Sequence, residues 1–159
     1  MAVILVDADG TIFPRAPHGF YSKKDIGSEK VLKELVSRGH KLVLWTCRNN
    51  SVRNPYNYHL IDGKKRKESS LGEAVRWFSE RGIPLDGINS YPEGEAYIGK
   101  SKKPLADVII DDTAIGCPIK YDTIDVYSIR TGKKSTVQRK TVYVDWDKVR
   151  DLLVEKGLL

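Results

Sequence analysis

The chain has 159 residues, of which 40% are hydrophobic and 30% are charged, and it carries a formal net charge of +6. This length fits one globular domain with a real core, no apolar run approaches the length of a membrane span, and the N-terminus lacks a signal-peptide pattern. Two cysteines, Cys47 and Cys117, give neither a metal spacing nor a disulfide framework, so we expect a reduced, cytoplasmic protein. The positive charge is compatible with an anionic substrate.

The first predicted element is a strand over residues 3–6 that runs directly into an acidic turn. Its sequence, Val-Ile-Leu-Val, is followed by Asp7, Asp9, Gly10 and Thr11. An unbroken apolar run is typical of a strand buried on both faces, as in a parallel sheet under helices, and Gly10 permits a sharp turn after it. We therefore expect Asp7 at the carboxyl end of a central strand, where open α/β sheets bind ligands.

The next elements predict a βαβ unit with parallel strands. Residues 12–27 are rich in turn-forming residues, and Ser28 is a good N-cap for a helix through about Arg38. A second strand over residues 41–45 ends in Thr46. This spacing of strand, helix and strand is typical of a crossover connection.

Residues 47–69 form a long basic connection that begins next to the end of the second strand. We predict that it overhangs the same sheet edge and acts as a small lid that binds the leaving group. Arg48 would then lie within reach of a substrate phosphate or carboxylate, although a surface charge is an equally good interpretation. The pattern Ser70-x-x-Glu73 predicts a capping box at the start of the following helix.

The remainder of the chain predicts further strands and a C-terminal hairpin and helix. The predicted elements are a short strand within residues 83–89, a polar loop over 90–105, a strand over 106–110, a fifth strand over 124–129, a strand around 136–144 and a helix capped by Asp145. The fourth strand ends in Asp111 and Asp112. The hairpin and the helix together span about residues 124–157.

Three predicted strands end in polar side chains that a parallel sheet would bring to one edge. They are Asp7, Thr46 and the pair Asp111-Asp112, with Asp9 close by. Two unit charges about 4 Å apart repel by about 4 kcal/mol at an effective dielectric constant of about 20. Gathering these carboxylates would raise some of their pKa values unless a cation lies among them, and Mg²⁺ suits hard carboxylate oxygens combined with phosphate.

In their order along residues 2–129, these motifs resemble those of the haloacid-dehalogenase-like phosphohydrolases. The first motif is Asp7-Ala8-Asp9-Gly10-Thr11, the second is Thr46, and the fourth is Asp111-Asp112. The third motif of that family is a lysine before the last acidic strand. Lys103 is our choice for it, and Lys100 and Lys102 remain alternatives.

The resemblance implies an α/β fold: a single three-layer Rossmann-like domain over residues 1–159, with a parallel sheet of strand order 3-2-1-4-5 and helices on both faces. The two points where that family inserts a cap domain offer 16 residues each, residues 12–27 and 90–105. We therefore expect no cap domain and an open site.

The resemblance also implies a magnesium-dependent phosphatase that works through an aspartyl-phosphate. Asp7 would be the nucleophile, and Asp9 would be the general acid and base. Mg²⁺ would be held by the carboxylate of Asp7, the backbone carbonyl of Asp9 and the pair Asp111-Asp112, with Asp112 the more direct ligand. Thr46 and Lys103 would hold the phosphoryl oxygens.

Two alternative functions stay open from the sequence. The positive charge and the open site favour a phosphatase for nucleic-acid ends or nucleotides, whereas a non-catalytic, metal-dependent binding or regulatory module would also retain an acidic site. The expected partner is a phosphorylated anionic substrate, with nucleic acid as an alternative and no membrane. The sequence leaves the oligomeric state open.

Overall fold

The computed structural model describes residues 1–17, 19–50, 58–61, 64–90 and 105–159, with only the backbone described for 58–61 and 64–67. In chain order the elements are β1 (Val3–Val6), β2 (Phe20–Tyr21), α1 (Ser28–Ser37), β3 (Lys41–Leu44), β4 (Tyr58–Ile61), β5 (Lys64–Lys67), α2 (Ser70–Glu80), β6 (Gly87–Ile88), β7 (Val108–Ile110), β8 (Ile119–Ile124), β9 (Tyr127–Ser128), β10 (Arg139–Val144) and α3 (Trp146–Glu155). Among them, no helix combines the length and the apolar character needed to cross a membrane.

A four-stranded parallel sheet forms the centre of the fold. Its strand order is β6-β3-β1-β7, and Leu5 of β1 lies in register with Val43 of β3 and Ile109 of β7. The predicted α/β class with a parallel sheet is confirmed, and the first four predicted strands have the predicted order. All of their carboxyl ends therefore lie at one edge.

The predicted fifth strand over residues 124–129 is wrong. Residues 119–124 form β8, which pairs antiparallel with β10, and β9 pairs antiparallel with β2. Ile124 and Val126 are buried, but Asp125 between them is held by Lys134 at 2.6 Å. Such an alternation of apolar and polar residues suits a hairpin with one face on the core, not a strand buried on both faces.

All three described helices pack against one face of the parallel sheet. That face bears Ile4 and Val6, which share one core cluster with residues of α1, α2 and α3, among them Leu32, Phe78 and Trp146. Leu5 points to the opposite face, since side chains alternate along a strand. Helices on both faces therefore stay a prediction, since the described helices share the cluster of one face and residues 91–104 lie outside the described part of the chain. Successive right-handed crossovers that move in one direction along the sheet leave α1 and α2 on the same side.

The helix N-termini differ in part from their prediction. Gly27, with φ 86°, precedes α1, while the Ser28 hydroxyl is buried and donates to Ile12 O at 2.7 Å. Ser69 caps α2 by accepting from Gly72 N at 2.9 Å, so the predicted capping box of Ser70 and Glu73 is wrong. Asp145 does cap α3, as predicted.

The connection over residues 47–69 contains an antiparallel hairpin of β4 and β5. Its register pairs Tyr58 with Lys67 and Ile61 with Lys64. The prediction of a loop without secondary structure is therefore wrong for this stretch. The proposed role of its basic side chains lies outside the described residues.

The C-terminal hairpin and α3 hold the acidic turn that follows β1. Val144 N donates to Gly10 O at 2.8 Å, and the indole N–H of Trp146 donates to Thr11 O at 2.7 Å. Trp146 and Thr11 are both buried. The turn thus has two donors from the far end of the chain.

Candidate functional site

Three carboxylates converge where β1 and β7 end. Asp7 follows β1, Asp111 and Asp112 follow β7, and Asp7 N donates to Ile110 O at 3.0 Å. Each of the three offers a carboxylate oxygen, and these oxygens lie within 4.8 Å of one another. The structure therefore brings together three of the four acidic residues that the sequence places at the candidate metal site.

The surroundings of Asp7 raise the pKa of its carboxyl group. Burial is the main cause, and the charges of Asp111 and Asp9 add to it. Hydrogen bonds from the Ala8 backbone and the Thr46 side chain act in the opposite direction. A carboxylate in this position is stabilised by a neighbouring cation, which would favour its charged form.

Thr46 lies beside Asp7, as the sequence predicts. Its backbone N–H donates to Asn89 Oδ1 at 2.8 Å, and its hydroxyl accepts from Arg48 N at 3.3 Å. Asn89 has φ 50°, and its own N–H donates to Leu44 O at 2.8 Å. The chain after β6 thus fixes the position of the residue that follows β3.

The carboxylate of Asp9 is turned away from the acidic cluster. Both of its oxygens accept from Arg48, at 2.8 Å from Nε and 2.6 Å from Nη2. The Asp9 side chain therefore does not join the three clustered carboxylates, and the predicted metal contact through the Asp9 backbone carbonyl stays a prediction. A bidentate arginine neutralises this acid, and the predicted contact of Arg48 with a substrate phosphate or carboxylate also stays a prediction.

Arg48 is anchored on several sides. Its Nη1 donates to Ser70 O at 2.9 Å and to Glu73 at 2.7 Å, and its guanidinium lies 4.7 Å from the ring centre of Phe13. Burial lowers the pKa of Arg48, but its bonds to Asp9 and Glu73 outweigh burial and raise it. Arg48 is thus a fixed cation that sets the orientation of Asp9.

Arg15 holds Asp112 in the same bidentate way. Its Nε donates to Asp112 Oδ2 at 2.9 Å, and its Nη2 donates to Oδ1 at 3.0 Å. Asp112 N also donates to the Thr11 hydroxyl at 3.1 Å. The close approach requires Gly10, since a Cβ there would lie 2.3 Å from Asp112 Oδ2.

Sequence reasoning missed Arg15, Glu73 and Asn89 as parts of this site. The sequence contains one indication that Arg15 could pair with the acids of the site: it is the first lysine or arginine of the chain and follows the acidic turn closely. It contains no such indication for Glu73 and Asn89, since their partners are set by tertiary packing. The predicted phosphate-binding Lys103 and its alternatives Lys100 and Lys102 lie outside the described residues.

A cavity of about 860 Å³ opens on the Asp9 side of the site. One wall is the chain between β1 and α1, and the other is the face of α2 that carries Glu73, Trp77 and Glu80. Asp9 and Arg48 line this cavity, whereas Asp7 does not. Asp7 therefore belongs to the acidic cluster, whereas Asp9 lines the cavity.

One solved structure relates the chain to a known protein. It is a conserved protein coded by a locus of Bacteroides thetaiotaomicron, 30% identical, with a TM-score of 0.51 over 72% of this chain and 78% of that chain. The chain belongs to the family of this Bacteroides protein. No protein-family model and no curated protein matches the chain. This relationship supports the fold, and the description of the Bacteroides protein states no activity.

The acidic cluster of this family member fits a divalent cation. Opposite ligands of Mg²⁺ lie about 4.2 Å apart when each Mg–O distance is about 2.1 Å, so oxygens within 4.8 Å of one another need only small movements. The donors are carboxylates, which Mg²⁺ prefers. Asp7, Asp111 and Asp112 would hold the ion, and Arg15 would have to release Asp112 for direct coordination.

Proposed function

We propose that the protein is a magnesium-dependent phosphatase that hydrolyses phosphate monoesters through an aspartyl-phosphate on Asp7. The observation that carries the proposal is the convergence of the oxygens of Asp7, Asp111 and Asp112 within 4.8 Å at one end of the parallel sheet. The Thr46 side chain bonds the Asp7 carboxylate at the same edge. Motif order along the chain and the location of these groups support the same chemistry.

In the first step, one oxygen of Asp7 attacks phosphorus and forms an O–P bond. The bond from phosphorus to the ester oxygen breaks, and that oxygen takes a proton from Asp9, so the leaving group departs as an alcohol. Both Asp9 oxygens accept from Arg48 in the structure, so Asp9 would first release one oxygen from Arg48 and take up a proton there. In the second step, water attacks phosphorus, Asp9 takes a proton from the water, and the Asp7–phosphorus bond breaks. Inorganic phosphate leaves, and both carboxyl groups regain their starting states.

The groups around these two acids have separate tasks. Mg²⁺, held by the acidic cluster and the Asp9 carbonyl, would neutralise the charge that Asp7 and the phosphate share. Thr46 would bind a phosphoryl oxygen, as would Lys103 or one of its alternatives. Arg48 is a positioning residue that holds Asp9 at the cavity, and it would have to release one Asp9 oxygen before that oxygen could reach the leaving group.

The two cysteines support a cytoplasmic location for this phosphatase. Cys47 and Cys117 are both free thiols, which suits a reducing compartment such as the cytoplasm. The substrate partner is a small or large phosphorylated anion.

Hydrolysis of phenyl phosphate in the presence of Mg²⁺ tests the proposal. We expect release of phosphate by the wild type, loss upon chelation, and a loss of at least about 10³-fold in Asp7→Asn, which lacks the nucleophile. Asp147→Asn is the matched control, since the Asp147 side chain is 91% exposed and outside the site. Absence of turnover by the wild type, or full activity in Asp7→Asn, would overturn the proposal, and Mg²⁺ binding without turnover would support a metal-dependent binding module instead.

A further inference from the structure

We propose that the cavity beside Asp9 receives an uncharged, hydroxyl-rich leaving group, so that the substrates are monophosphates of sugars or polyols. This inference rests on the proposed function, because the position of Asp9 as general acid defines the side on which the leaving group lies. It concerns the substrate class, which neither the family relationship nor the acidic cluster specifies.

The size and position of the cavity fit a leaving group. Its volume of about 860 Å³ lies within the range of about 300–1,000 Å³ that is typical of small-molecule sites. Asp9 lines the cavity and Asp7 does not. A phosphate bound at the acidic cluster would thus extend its alcohol portion past Asp9 and into this space.

The charges that line the cavity balance. Its described cations are Lys23, Lys24, Arg48, Arg76 and Arg81. Its described anions are Asp9, Asp25, Glu29, Glu73 and Glu80. Five of each give no net charge, so the described lining has no excess of cations for a second phosphate or for a nucleic-acid backbone, whose recognition depends on unpaired lysines and arginines.

The arginines of the cavity already have carboxylate partners. Arg48 binds Asp9 and Glu73, Arg76 binds Glu80 at 2.8 Å, and Arg81 lies 3.2 Å from Glu29. A second anionic group would have to displace these carboxylates and would then face them as like charges. A hydroxyl group can donate to a carboxylate and accept from a guanidinium, and therefore joins such pairs without breaking them.

Arginines already cover one face of two aromatic rings in the cavity lining, those of Trp77 and Phe13. The guanidinium of Arg81 lies 4.4 Å from the ring centre of Trp77, and that of Arg48 lies 4.7 Å from the ring centre of Phe13. Phe78 meets Trp77 at a ring distance of 5.1 Å in an edge-on arrangement. A base that used these faces for stacking would have to displace arginines that are held by carboxylates.

A matched pair of substrates tests the inference directly. Fructose 6-phosphate and fructose 1,6-bisphosphate share one carbon skeleton and differ by one anionic group. We expect kcat/KM to be at least 10-fold higher for the monophosphate, and also at least 10-fold higher than for a 5′-phosphorylated oligonucleotide. Phenyl phosphate serves as the reference ester because it lacks hydroxyl groups.

A variant in the cavity wall sharpens the test. Glu80→Gln removes one anion from the lining, and we expect the preference for the monophosphate over the bisphosphate to fall several-fold. Glu155→Gln is the same change on α3, away from the cavity, and should leave the preference as in the wild type. Ala16→Phe, which fills part of the cavity, should lower kcat/KM for fructose 6-phosphate more than for phenyl phosphate.

The outcomes separate this inference from the proposed function. Turnover of phenyl phosphate with a preference for the bisphosphate or the oligonucleotide would overturn the inference and leave the phosphatase intact. If no ester is hydrolysed, the phosphatase proposal fails. Calorimetry with the wild type and Mg²⁺, which then proceeds without turnover, decides the preference of the cavity: tighter binding of fructose 6-phosphate than of the bisphosphate supports it, and the reverse or no binding overturns it.

Discussion

Two arginines each hold one acid of the site with the same bidentate geometry, but the two pairs differ in which partner is exposed to solvent. In the Arg15–Asp112 pair the arginine side chain is 48% exposed and the aspartate is 3% exposed. In the Arg48–Asp9 pair the arginine is 13% exposed and the aspartate is 41% exposed. The difference shows which partner can move, because an exposed side chain can turn into water at little cost whereas a buried charge cannot.

The Arg48–Asp9 pair therefore forms a fixed half of the site, and the Arg15–Asp112 pair forms an exchangeable half. Arg48 also binds Ser70 and Glu73, so it belongs to the packing between the acidic turn and α2. Arg15 covers an acid that a divalent cation would use. We therefore expect loss of either arginine to lower stability, and loss of Arg15 to affect metal binding as well.

Gly10→Ala should cause the largest loss of stability, because its methyl group would push Asp112 and Arg15 away from the turn. A Cβ at this position would lie 2.3 Å from Asp112 Oδ2, and φ is 81°. We expect a loss of about 3 kcal/mol in the free energy of unfolding, from overpacking and backbone strain together. Gly39→Ala is the matched control, since φ is 79° there and nothing lies within 4 Å of its Cβ. Equal losses in the two variants, measured by urea unfolding, would refute the close contact with Asp112.

Arg48→Ala should come next, because it removes the cation of the fixed half. Glu73 and Ser70 O would lose their partner in a partly buried position, and we expect a loss of about 2 kcal/mol in the free energy of unfolding. Arg48→Lys keeps the charge but loses the bidentate geometry, and should recover part of the stability and little of the orientation of Asp9. A stability equal to that of the wild type in Arg48→Ala would contradict the division into two halves.

Arg15→Ala should have an effect of similar size that depends on Mg²⁺. Without metal, we expect a loss of about 2 kcal/mol, because the Asp112 side chain is 3% exposed and would be left without its cation. With Mg²⁺, the ion would occupy the vacated oxygens of Asp112, so the rise in melting temperature upon addition of Mg²⁺ should be larger than in the wild type. Calorimetric titration should show tighter Mg²⁺ binding, and weaker binding would indicate that Arg15 helps to hold the metal site.

Asp122→Asn should give the smallest effect and provides a baseline from an ion pair away from the acidic cluster. Lys24 at 2.6 Å, helped by the Thr123 N–H and the Tyr143 hydroxyl, lowers the pKa of Asp122 to about 2 from 3.8. A lowered pKa stabilises the fold above pH 3.8, and this contribution is lost as the pH falls toward 2. Melting temperatures between pH 5 and pH 2 should therefore fall more in the wild type than in the variant.

The sequence predicts those parts of the fold that depend on neighbouring residues. The apolar runs before Asp7 and before Asp111 each indicate a strand, and the parallel direction of the strands then places both acids at one edge. Burial on both faces holds for β1 but not for β7, where Ile109 is 55% exposed. The helical spacing of Val31, Leu32 and Leu35 likewise predicts α1 and its buried face. These inferences need only local pattern and the parallel arrangement.

The features that the sequence does not reveal depend on contacts between distant residues. Arg15 and Asp112 are 97 positions apart, and no local pattern links them. Glu73 satisfies the local rule for a capping box, but the buried guanidinium of Arg48 competes for its carboxylate and is the stronger partner. The apolar residues Ile124 and Val126 predict the fifth parallel strand, and both are buried as expected. The antiparallel pairing of residues 119–124 with β10 is a contact between distant residues that this local pattern does not reveal.

The two hydrogen bonds from Val144 and Trp146 to the turn after β1 also bear on how the protein is made. The ribosome synthesises this turn well before it synthesises the residues whose donors complete it. A nascent chain that stops before α3 would contain every acid of the site and still lack its finished geometry. Activity should therefore arise only after β10 and the start of α3 have left the ribosome.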